Sequence, residues 1–111
     1  MDGYQYPDAQ FRALGDATRR AVLARLADER PMRVGELARQ FPISRPAISQ
    51  HLRVLKDARL VIDRVEGARR LYTVNPAAIE SLNTYLVGFW TRTLSAFNKR
   101  ITEDTNTKED Q

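Results

Sequence analysis

Arginine side chains give the middle of this chain its clearest chemical character. Of the 18 basic residues, 15 are arginine, and residues 44–70 hold seven basic against three acidic side chains, a net charge of +4. The planar guanidinium donates paired hydrogen bonds to phosphates and to guanine edges. The whole chain of 111 residues also has a net charge of +4, with an isoelectric point near 9.8. This chemistry indicates a polyanionic partner.

Residues 44–58 have the pattern of an amphipathic helix with one polar face. Ser44 is a predicted N-cap, and Pro46 suits the first helical turn, where a missing N–H costs nothing. Polar side chains recur at spacings of four, four and three: Arg45, Ser49, Arg53 and Lys56. The predicted buried face consists of Ile48, Leu52 and Leu55. A helix of about 14 residues is roughly 21 Å long, enough to lie in a DNA major groove.

We predict that this helix recognises DNA. Because arginine suits guanine and glutamine suits adenine, Arg45, Ser49 and Gln50 are predicted to contact base edges. Arg53 and Lys56 are placed for backbone phosphates. The complete set of predicted DNA contacts, with those of the following hairpin, is Ser44, Arg45, Pro46, Ser49, Gln50, His51, Arg53, Lys56, Arg64, Arg69 and Arg70. Taken alone, the same pattern also fits an ordinary solvated helix face.

His51 is the one histidine of the chain, and it falls between the buried and polar faces of this helix. We expect it to contact a phosphate or to make a half-buried structural hydrogen bond. A pH switch, or a metal ligand shared across a dimer, is the alternative. Because the chain has a single histidine and no cysteine, disulfides, thiolate metal sites and a multi-histidine zinc site within one chain are excluded.

Two β-prone runs, Leu60–Val65 and Arg69–Val74, follow the helix, and Gly67 between them suits a hairpin turn. Arginines near a hairpin tip can enter a minor groove or follow phosphates. The residues predicted to do so are Arg64, Arg69 and Arg70. Solubility and edge protection are the alternative roles, and Arg64 could instead pair with Asp63 or Glu66.

Three shorter helices are predicted before residue 44. The first begins at Pro7 or Asp8 and ends at Leu14, the second is capped by Asp16 and ends near Asp28, and the third spans Val34–Gln40. A short helix, a turn of three to four residues and a second helix with a polar outer face form a helix-turn-helix, and the hairpin that follows adds a wing. We therefore predict a mainly α fold with a small β-hairpin.

A long helix is predicted to begin after Asn75-Pro76 and to end near Arg100. Its apolar residues recur about every 3.7 positions and form more than one stripe. Since one domain needs only a single stripe, a second copy of the same helix is the simplest partner. The predicted dimer interface consists of Phe11, Leu14, Leu82, Tyr85, Leu86, Phe89, Trp90, Leu94 and Phe97. An aromatic-lined ligand pocket is the alternative.

The predicted organisation is a lead-in over residues 1–8, one domain over 9–101 and a disordered acidic tail over 102–111. The last nine residues have a net charge of −3, so the tail either solubilises the chain or competes weakly with DNA for the basic face. No apolar run is long enough for a membrane span, and the first 15 residues lack the pattern of a secretory signal. We expect a soluble cytoplasmic protein that needs no cofactor. No nucleophile–base pair or phosphate loop predicts an enzyme.

Three stretches of the chain resemble one protein family. The segments ALGDATRRAVLARL, VGELARQFPISRPAISQHLRVLKDARLV and RVEGARRLYTVNP are similar to the ArsR/SmtB winged helix-turn-helix regulators over about residues 9–100. The resemblance implies a homodimer in which the first and last helices form the interface. It also implies repression by occupation of an operator, commonly with release by an inducer.

The sequence departs from the metal-sensing pattern of that family. Ala38 and Gln40 stand where the family's short cysteine motif supplies metal ligands, and residues 75–100 hold no histidine and one carboxylate, Glu80. The chain is therefore most similar to a cysteine-free subset, some members of which repress their own operon. Arg33 replaces a threonine that would form a capping box, so the helix at 34–40 either starts differently or frays.

The predicted function is sequence-specific DNA binding as a homodimeric transcriptional repressor on a palindromic operator, with autoregulation as one option. Two alternatives remain at this point. In the first, an organic small-molecule effector binds among the aromatic residues of the last helix. In the second, the winged helix binds a protein partner and no DNA.

Overall fold

The structure, a computed structural model, describes the backbone of residues 2–109 and the side chains of residues 7–105. Its elements in chain order are α1 (Asp2–Ala13), α2 (Ala17–Asp28), α3 (Val34–Ala38), α4 (Arg45–Asp57), β1 (Val61–Glu66), β2 (Arg69–Val74) and α5 (Pro76–Glu109). Residues up to Glu80 form one compact unit, and the remainder of α5 from Ser81 forms a second. The predicted mainly α fold with one β-hairpin is confirmed.

Polar side chains fix the junction between α1 and α2. The Asp16 carboxylate caps α2, as predicted, by accepting a hydrogen bond of 2.9 Å from the Arg19 backbone N–H. Arg19 Nε and Arg20 Nη1 donate to the carbonyls of Ala13 and Leu14 at 2.7 and 2.6 Å. These bonds satisfy carbonyl groups that have no partner within α1.

Helix α1 begins at Asp2, so the lead-in predicted over residues 1–8 is helical backbone from residue 2 onward. Pro7 lies inside α1 instead of starting it. A proline inside a helix removes one backbone hydrogen bond, and α1 continues through this position. The sequence also allows Tyr4 and Tyr6 to complete the predicted dimer interface, but their side chains lie outside the described residues.

The core of the first unit lies where α2, α3, α4 and the hairpin meet. Ile48, Leu52 and Leu55 are all at most 1% exposed, which confirms the predicted buried face of α4. The other largest fully buried side chains are Leu26, Leu37, Leu60, Val22 and Val61. Burial of one such side chain contributes about 1.5–3 kcal/mol to the free energy of folding. This core therefore fixes which face of α4 remains exposed.

Helix α3 begins without a hydroxyl cap but is not frayed at its first residue. The Glu36 carboxylate accepts hydrogen bonds from the Arg33 backbone N–H at 3.2 Å and from Arg33 Nε at 3.3 Å. These bonds, led by the backbone one, lower the pKa of Glu36 below its usual range. Half of a capping box is thus retained despite Arg33. Helix α3 ends at Ala38, two residues before the predicted Gln40.

The predicted hairpin is present, but β1 spans Val61–Glu66 instead of Leu60–Val65, so two residues, Gly67 and Ala68, form the turn. β1 and β2 are antiparallel, with Glu66 opposite Arg69 and Asp63 opposite Tyr72. Gly67 has a φ of 63°, a value that glycine adopts without steric cost, and the space beside it is open. On the other side of β2, the backbone of Tyr72 pairs with that of Met32 at 2.8 and 3.0 Å. The hairpin is therefore held to the segment before α3.

Helix α5 continues to Glu109, beyond the predicted end near Arg100 and into the predicted disordered tail. The last glycine is Gly88 and no proline follows Pro76, so no residue that breaks a helix occurs in this stretch. Thr102 Oγ1 also donates to the Asn98 carbonyl at 3.0 Å. The domain boundaries themselves stay a prediction. Among the described residues, no helix is long and apolar enough to cross a membrane.

Candidate nucleic-acid interface

The N-terminus of α4 is open to solvent and is capped as predicted. The Ser44 hydroxyl accepts a hydrogen bond of 3.2 Å from the Ala47 backbone N–H, and Pro46 occupies the first turn. Ser44, Arg45 and Pro46 are all exposed. Because the remaining N–H groups of this turn carry the positive end of the helix dipole, they favour an anion such as phosphate.

The exposed face of α4 brings together the side chains predicted to contact DNA. Burial of the apolar face leaves the other face to solvent, and its exposed members are Arg45, Ser49, Gln50, Arg53 and Lys56. Arg45 and Arg53 have no carboxylate partner within the part of the chain that the structure describes. The Arg45 guanidinium lies against Gly35 of α3, where a Cβ atom would stand 3.5 Å from Nη1. α4 therefore presents cations that are available to an external anion.

Asp63 joins α4 to the hairpin. Its carboxylate accepts a hydrogen bond from Arg70 on β2 and pairs with Lys56 Nζ of α4 at 3.0 Å. The Asp63 side chain is only 10% exposed. The bond from Arg70, followed by that from Lys56, lowers the pKa of Asp63. The Asp63 carboxylate is therefore ionised at neutral pH, and it offsets part of the charge of two predicted DNA contacts.

The sequence did not predict this bridge, although part of the pattern was visible. Side chains alternate between the two faces of a strand, and a two-residue turn sets Asp63 opposite Tyr72. Asp63 and Arg70 thus share a face, one diagonal step apart. Arg70 is two positions before Tyr72, the cross-strand partner of Asp63, so the register of the predicted hairpin could have identified this pair. The additional contact with Lys56 depends on how the hairpin packs on α4.

The other two arginines of the hairpin differ from each other. Arg64 Nε pairs with Glu66 Oε2 at 3.3 Å, which is one of the two partners the sequence allowed. The alternative partner, Asp63, lies on the opposite face of β1. Arg69 is exposed and has no ion pair with any carboxylate among the described residues. Of the hairpin arginines, Arg69 is thus the one whose charge is not offset by a carboxylate.

His51 turns away from the exposed face of α4 and toward α2. Its side chain is 19% exposed, and Nδ1 lies 3.9 Å from Asp16 Oδ2. Nδ1 is buried and has no hydrogen-bond partner among the described residues. The pKa of Asp16 is lowered, mainly because its carboxylate accepts the Arg19 backbone N–H. The role of His51 in DNA contact stays a prediction.

An open cleft separates α4 from the hairpin. Its volume is about 460 Å³, and it is lined by Ser49, Leu52, Arg53, Lys56, Asp57, Asp63, Arg70 and Tyr72. Tyr72 and Leu52 contribute the apolar part of the lining. Four of the predicted DNA contacts therefore border one concave surface of the first unit.

The residues of α5 predicted to form a dimer interface are mostly exposed. Tyr85, Leu86, Phe89, Trp90, Leu94 and Phe97 are between 41% and 57% exposed, as are Val87 and Ile101. Leu82 is half-buried, and on the preceding unit Phe11 is 38% exposed and Leu14 half-buried. Exposed aromatic and aliphatic side chains of this kind are typical of interaction sites, and the dimer interface stays a prediction.

Comparison with known proteins assigns a family. Residues 16–63 match the family described as bacterial regulatory protein, arsR family. The HTH-type transcriptional regulator Rv2034 of Mycobacterium tuberculosis is 52% identical over 101 residues, covering 91% of this chain and 94% of that protein. The transcriptional repressor SdpR of Bacillus subtilis is 34% identical over 79 residues, covering 71% and 87%.

Solved structures agree with the fold. An ArsR-like transcriptional regulator from Rhodococcus sp. RHA1 has a TM-score of 0.72 at 28% identity, covering 89% of this chain and 95% of that chain. A homodimeric winged helix-turn-helix DNA-binding domain from Mycobacterium bovis shares the fold with a TM-score of 0.64 at 24% identity, covering 76% and 78%. This chain belongs to the arsR family of bacterial regulatory proteins and is a transcriptional regulator with a winged helix-turn-helix DNA-binding domain.

Proposed function

We propose that this regulator is a homodimeric repressor that binds an imperfectly palindromic operator in its own upstream region. The observation that carries the proposal is the exposed face of α4, where Arg45 and Arg53 lack carboxylate partners among the described residues, above a core that holds the helix in place. Such a face meets the needs of a major-groove reader, because its donors are exposed and its backbone is fixed.

The side chains of this face divide by position. Arg45 at the N-terminal end, with Ser49 and Gln50 in the following turn, contacts base edges, as the first turns of a recognition helix do. Arg53 and Lys56, further along, bind backbone phosphates. The hairpin lies over the adjacent minor groove, with Arg69 and Arg70 toward the phosphates. In this assignment, base contacts give sequence preference and phosphate contacts give most of the affinity.

A second copy of the chain is the partner proposed for the apolar residues of α5. Trp90 and Phe97 are each 57% exposed, and aromatic residues are enriched at protein interfaces. The related domain from Mycobacterium bovis is described as homodimeric, which supports the same assembly here. Two recognition helices in a symmetric dimer require half-sites about 34–36 Å apart, one turn of DNA.

Repression, as opposed to activation, is supported by two observations. The relative SdpR is named a transcriptional repressor, and the sequence resembles a family that acts by occupying its operator. A dimer that covers a promoter excludes polymerase without further contacts. Cytoplasmic location follows from the same role, because the target is chromosomal DNA.

The proposal is tested by selecting bound duplexes from a random pool and by footprinting the gene's own upstream region. We expect an inverted repeat with one turn of DNA between half-site centres. If six to ten phosphates are neutralised per dimer, affinity falls about 10³–10⁵-fold between 50 and 200 mM salt. Enrichment of no sequence, or binding that does not depend on salt, would contradict the proposal and favour the protein-binding alternative.

The dimer is tested separately with Phe97→Glu, which places a charge in the apolar surface. We expect this variant to sediment as a monomer and to protect single half-sites weakly. Asn98→Glu is the matched control, because it adds the same charge at the adjacent, polar position. A Phe97→Glu variant that stays dimeric would show that the interface lies elsewhere.

A further inference from the structure

Asp63 is an acidic residue in a place where a DNA-binding surface would be expected to exclude one. It lies on β1, lines the cleft between α4 and the hairpin, and is 10% exposed. A carboxylate facing a phosphate weakens binding through repulsion. Charge repulsion alone would therefore disfavour a carboxylate at this position.

The carboxylate of Asp63 connects the two walls of the cleft. Lys56 Nζ on the α4 wall lies 3.0 Å from Oδ1 and 3.2 Å from Oδ2 of this carboxylate, and Arg70 Nη1 on the hairpin wall donates to Oδ2. Lys56 and Arg70 are otherwise half-exposed, at 49% and 53%. Long cationic side chains in solvent sample many rotamers. The largely covered Asp63 carboxylate holds both cations in one arrangement.

Both cations keep hydrogen-bond capacity for an external anion. An ammonium has three N–H donors and a guanidinium has five, and Asp63 uses only part of each set. With one negative charge between two positive ones, the cluster has a net charge of +1. Arg53 and Ser49 border the same cleft. A phosphodiester oxygen entering the cleft would meet donors from both walls.

The geometry of a winged helix determines which anion can enter. When α4 lies in a major groove and the hairpin over the adjacent minor groove, the sugar–phosphate strand that separates the grooves passes between them. That strand is continuous and carries one charge per phosphate. The cleft between α4 and the hairpin is thus the one place where a backbone phosphate approaches both elements together.

We propose that Asp63 is a positioning residue for DNA-backbone binding: it holds Lys56 and Arg70 on opposite walls of the cleft so that together they bind one phosphate of the strand between the grooves. The inference rests on the proposed function. Asp63 acts through the two cations and does not itself contact DNA. Because the rotamers of Lys56 and Arg70 are fixed before binding, less conformational entropy is lost when the phosphate arrives.

The test compares Asp63→Asn with Asp57→Asn. Asp57 lines the same cleft and is exposed, so both variants add one unit of positive charge at nearly the same place. Affinity is measured for the selected operator duplex and for an equal-length duplex of scrambled sequence, at several salt concentrations. We expect Asp63→Asn to bind the operator about tenfold more weakly than Asp57→Asn, with a salt slope smaller by about one for each phosphate that is no longer bound.

Charge alone predicts the opposite result. If Asp63 only repels DNA, Asp63→Asn tightens binding as much as Asp57→Asn on both duplexes, and the inference is overturned. Wild-type protein that shows neither sequence preference nor salt dependence would instead overturn the proposed function. The two failures are therefore distinguishable within one data set.

A second variant covers the case in which Asp63→Asn does not fold. Asp63→Glu keeps the charge but displaces the carboxylate by one methylene. We expect Asp63→Glu to bind the operator about threefold more weakly than wild type. We also expect Lys56→Ala to reduce operator affinity less in the Asp63→Glu background than in wild type. Equal losses from Lys56→Ala in both backgrounds, with both proteins folded by circular dichroism, would show that Asp63 does not act through Lys56.

Discussion

Helix α4 and the β1–β2 hairpin each carry three basic side chains, but they hold them differently. On α4, Arg45 and Arg53 have no carboxylate partner among the described residues, and only Lys56 is paired. On the hairpin, Arg64 pairs with Glu66 and Arg70 bonds to Asp63. The backbone of α4 is fixed by a core packed beneath it, whereas the exposed tip of the hairpin has only cross-strand bonds and ion pairs. Apolar burial thus fixes α4, whereas at the tip of the hairpin cross-strand bonds and paired charges hold the basic side chains.

This difference predicts an unequal division of labour. Cations without partners lose little when DNA replaces water around them, while paired cations must share their donors. Affinity should therefore depend more on the α4 arginines than on the hairpin arginines, although the formal charges are the same.

The largest effect is expected from Arg45→Ala compared with Arg64→Ala. Both variants remove one charge, but Arg45 is unpaired and lies at the base-reading end of α4. We expect Arg45→Ala to weaken operator binding about 10- to 100-fold, in line with loss of a bidentate base contact of about 1–3 kcal/mol. Arg64→Ala should cost less than about threefold, since the Arg64 guanidinium already shares its donors with Glu66 on an exposed strand. Fluorescence anisotropy with labelled operator measures the affinity of both variants. Equal losses of affinity would show that α4 and the hairpin do not differ in their contribution to binding.

A smaller effect, confined to one base pair, is expected from Gln50→Ala. If α4 alone reads sequence, this variant relaxes preference at one position in each half-site by about 1–3 kcal/mol. Arg69→Ala on the hairpin should instead weaken all sequences about equally. Competition with single-base operator variants distinguishes the two patterns. A uniform loss for Gln50→Ala would mean that Gln50 is not a base reader.

How far the sequence predicted these features depends on the range of the interactions involved. The α4 faces and the Ser44 cap follow from local spacing, and the structure has both. The Gly67 turn likewise depends on neighbouring residues only. The Asp63 bridge was not predicted because it joins residues on different elements, and its geometry is set by packing of the hairpin on α4.

Chain ends were the least predictable part. Composition alone indicated a disordered tail, because the last residues lack apolar side chains, yet helical backbone continues to Glu109. Absence of glycine and proline after Gly88 leaves propagation of an existing helix unopposed. At the other end, Pro7 indicated a helix start that lies at Asp2. At both ends the helix continues past the residue that local sequence signals predicted as its boundary.

Acid should affect the ion pairs of the hairpin and the structure of α4 differently. The pKa of Asp63 is lowered in the folded protein by its bonds from Arg70 and Lys56, so its contribution to the free energy of unfolding is complete above the unfolded value, about 4. It is lost as the pH falls below that value through the lower folded pKa. The Ser44 hydroxyl cap of α4 does not titrate in this range.

Urea unfolding between pH 6 and pH 2.5 tests this difference. We expect Asp63→Asn to have a lower free energy of unfolding than wild type at pH 6. We also expect its free energy of unfolding to fall less than that of wild type between pH 5 and pH 2.5. Ser44→Ala should lower stability by about 1 kcal/mol at every pH, because only a cap is removed. Parallel pH profiles for wild type and Asp63→Asn would show that the bridge contributes nothing measurable.

The smallest expected effect concerns the junction between the two regions. Arg59, between α4 and β1, has a φ of 65°, a conformation that costs residues with a Cβ about 1 kcal/mol relative to glycine. The Arg59 N–H donates to the Lys56 carbonyl at 2.9 Å, and the Leu60 N–H donates to the Leu55 carbonyl at 3.0 Å. Asn75 Nδ2 donates to the Arg59 carbonyl at 2.9 Å. These bonds hold the turn that a glycine usually makes at a helix end.

Comparison of Arg59→Gly with Arg59→Ala isolates the backbone cost, because both variants remove the side chain beyond Cβ. We expect the glycine variant to be more stable than the alanine variant by about 0.5–1 kcal/mol, which corresponds to a few degrees in the melting temperature. The same pair also tests the contrast between α4 and the hairpin. If the hairpin must be held at a fixed angle to α4, the more flexible glycine junction should weaken operator binding even as it stabilises the fold. If Arg59→Gly is both more stable and tighter in operator binding than Arg59→Ala, the junction needs no rigidity of its own. In that case the paired charges around Asp63 are sufficient to place the hairpin.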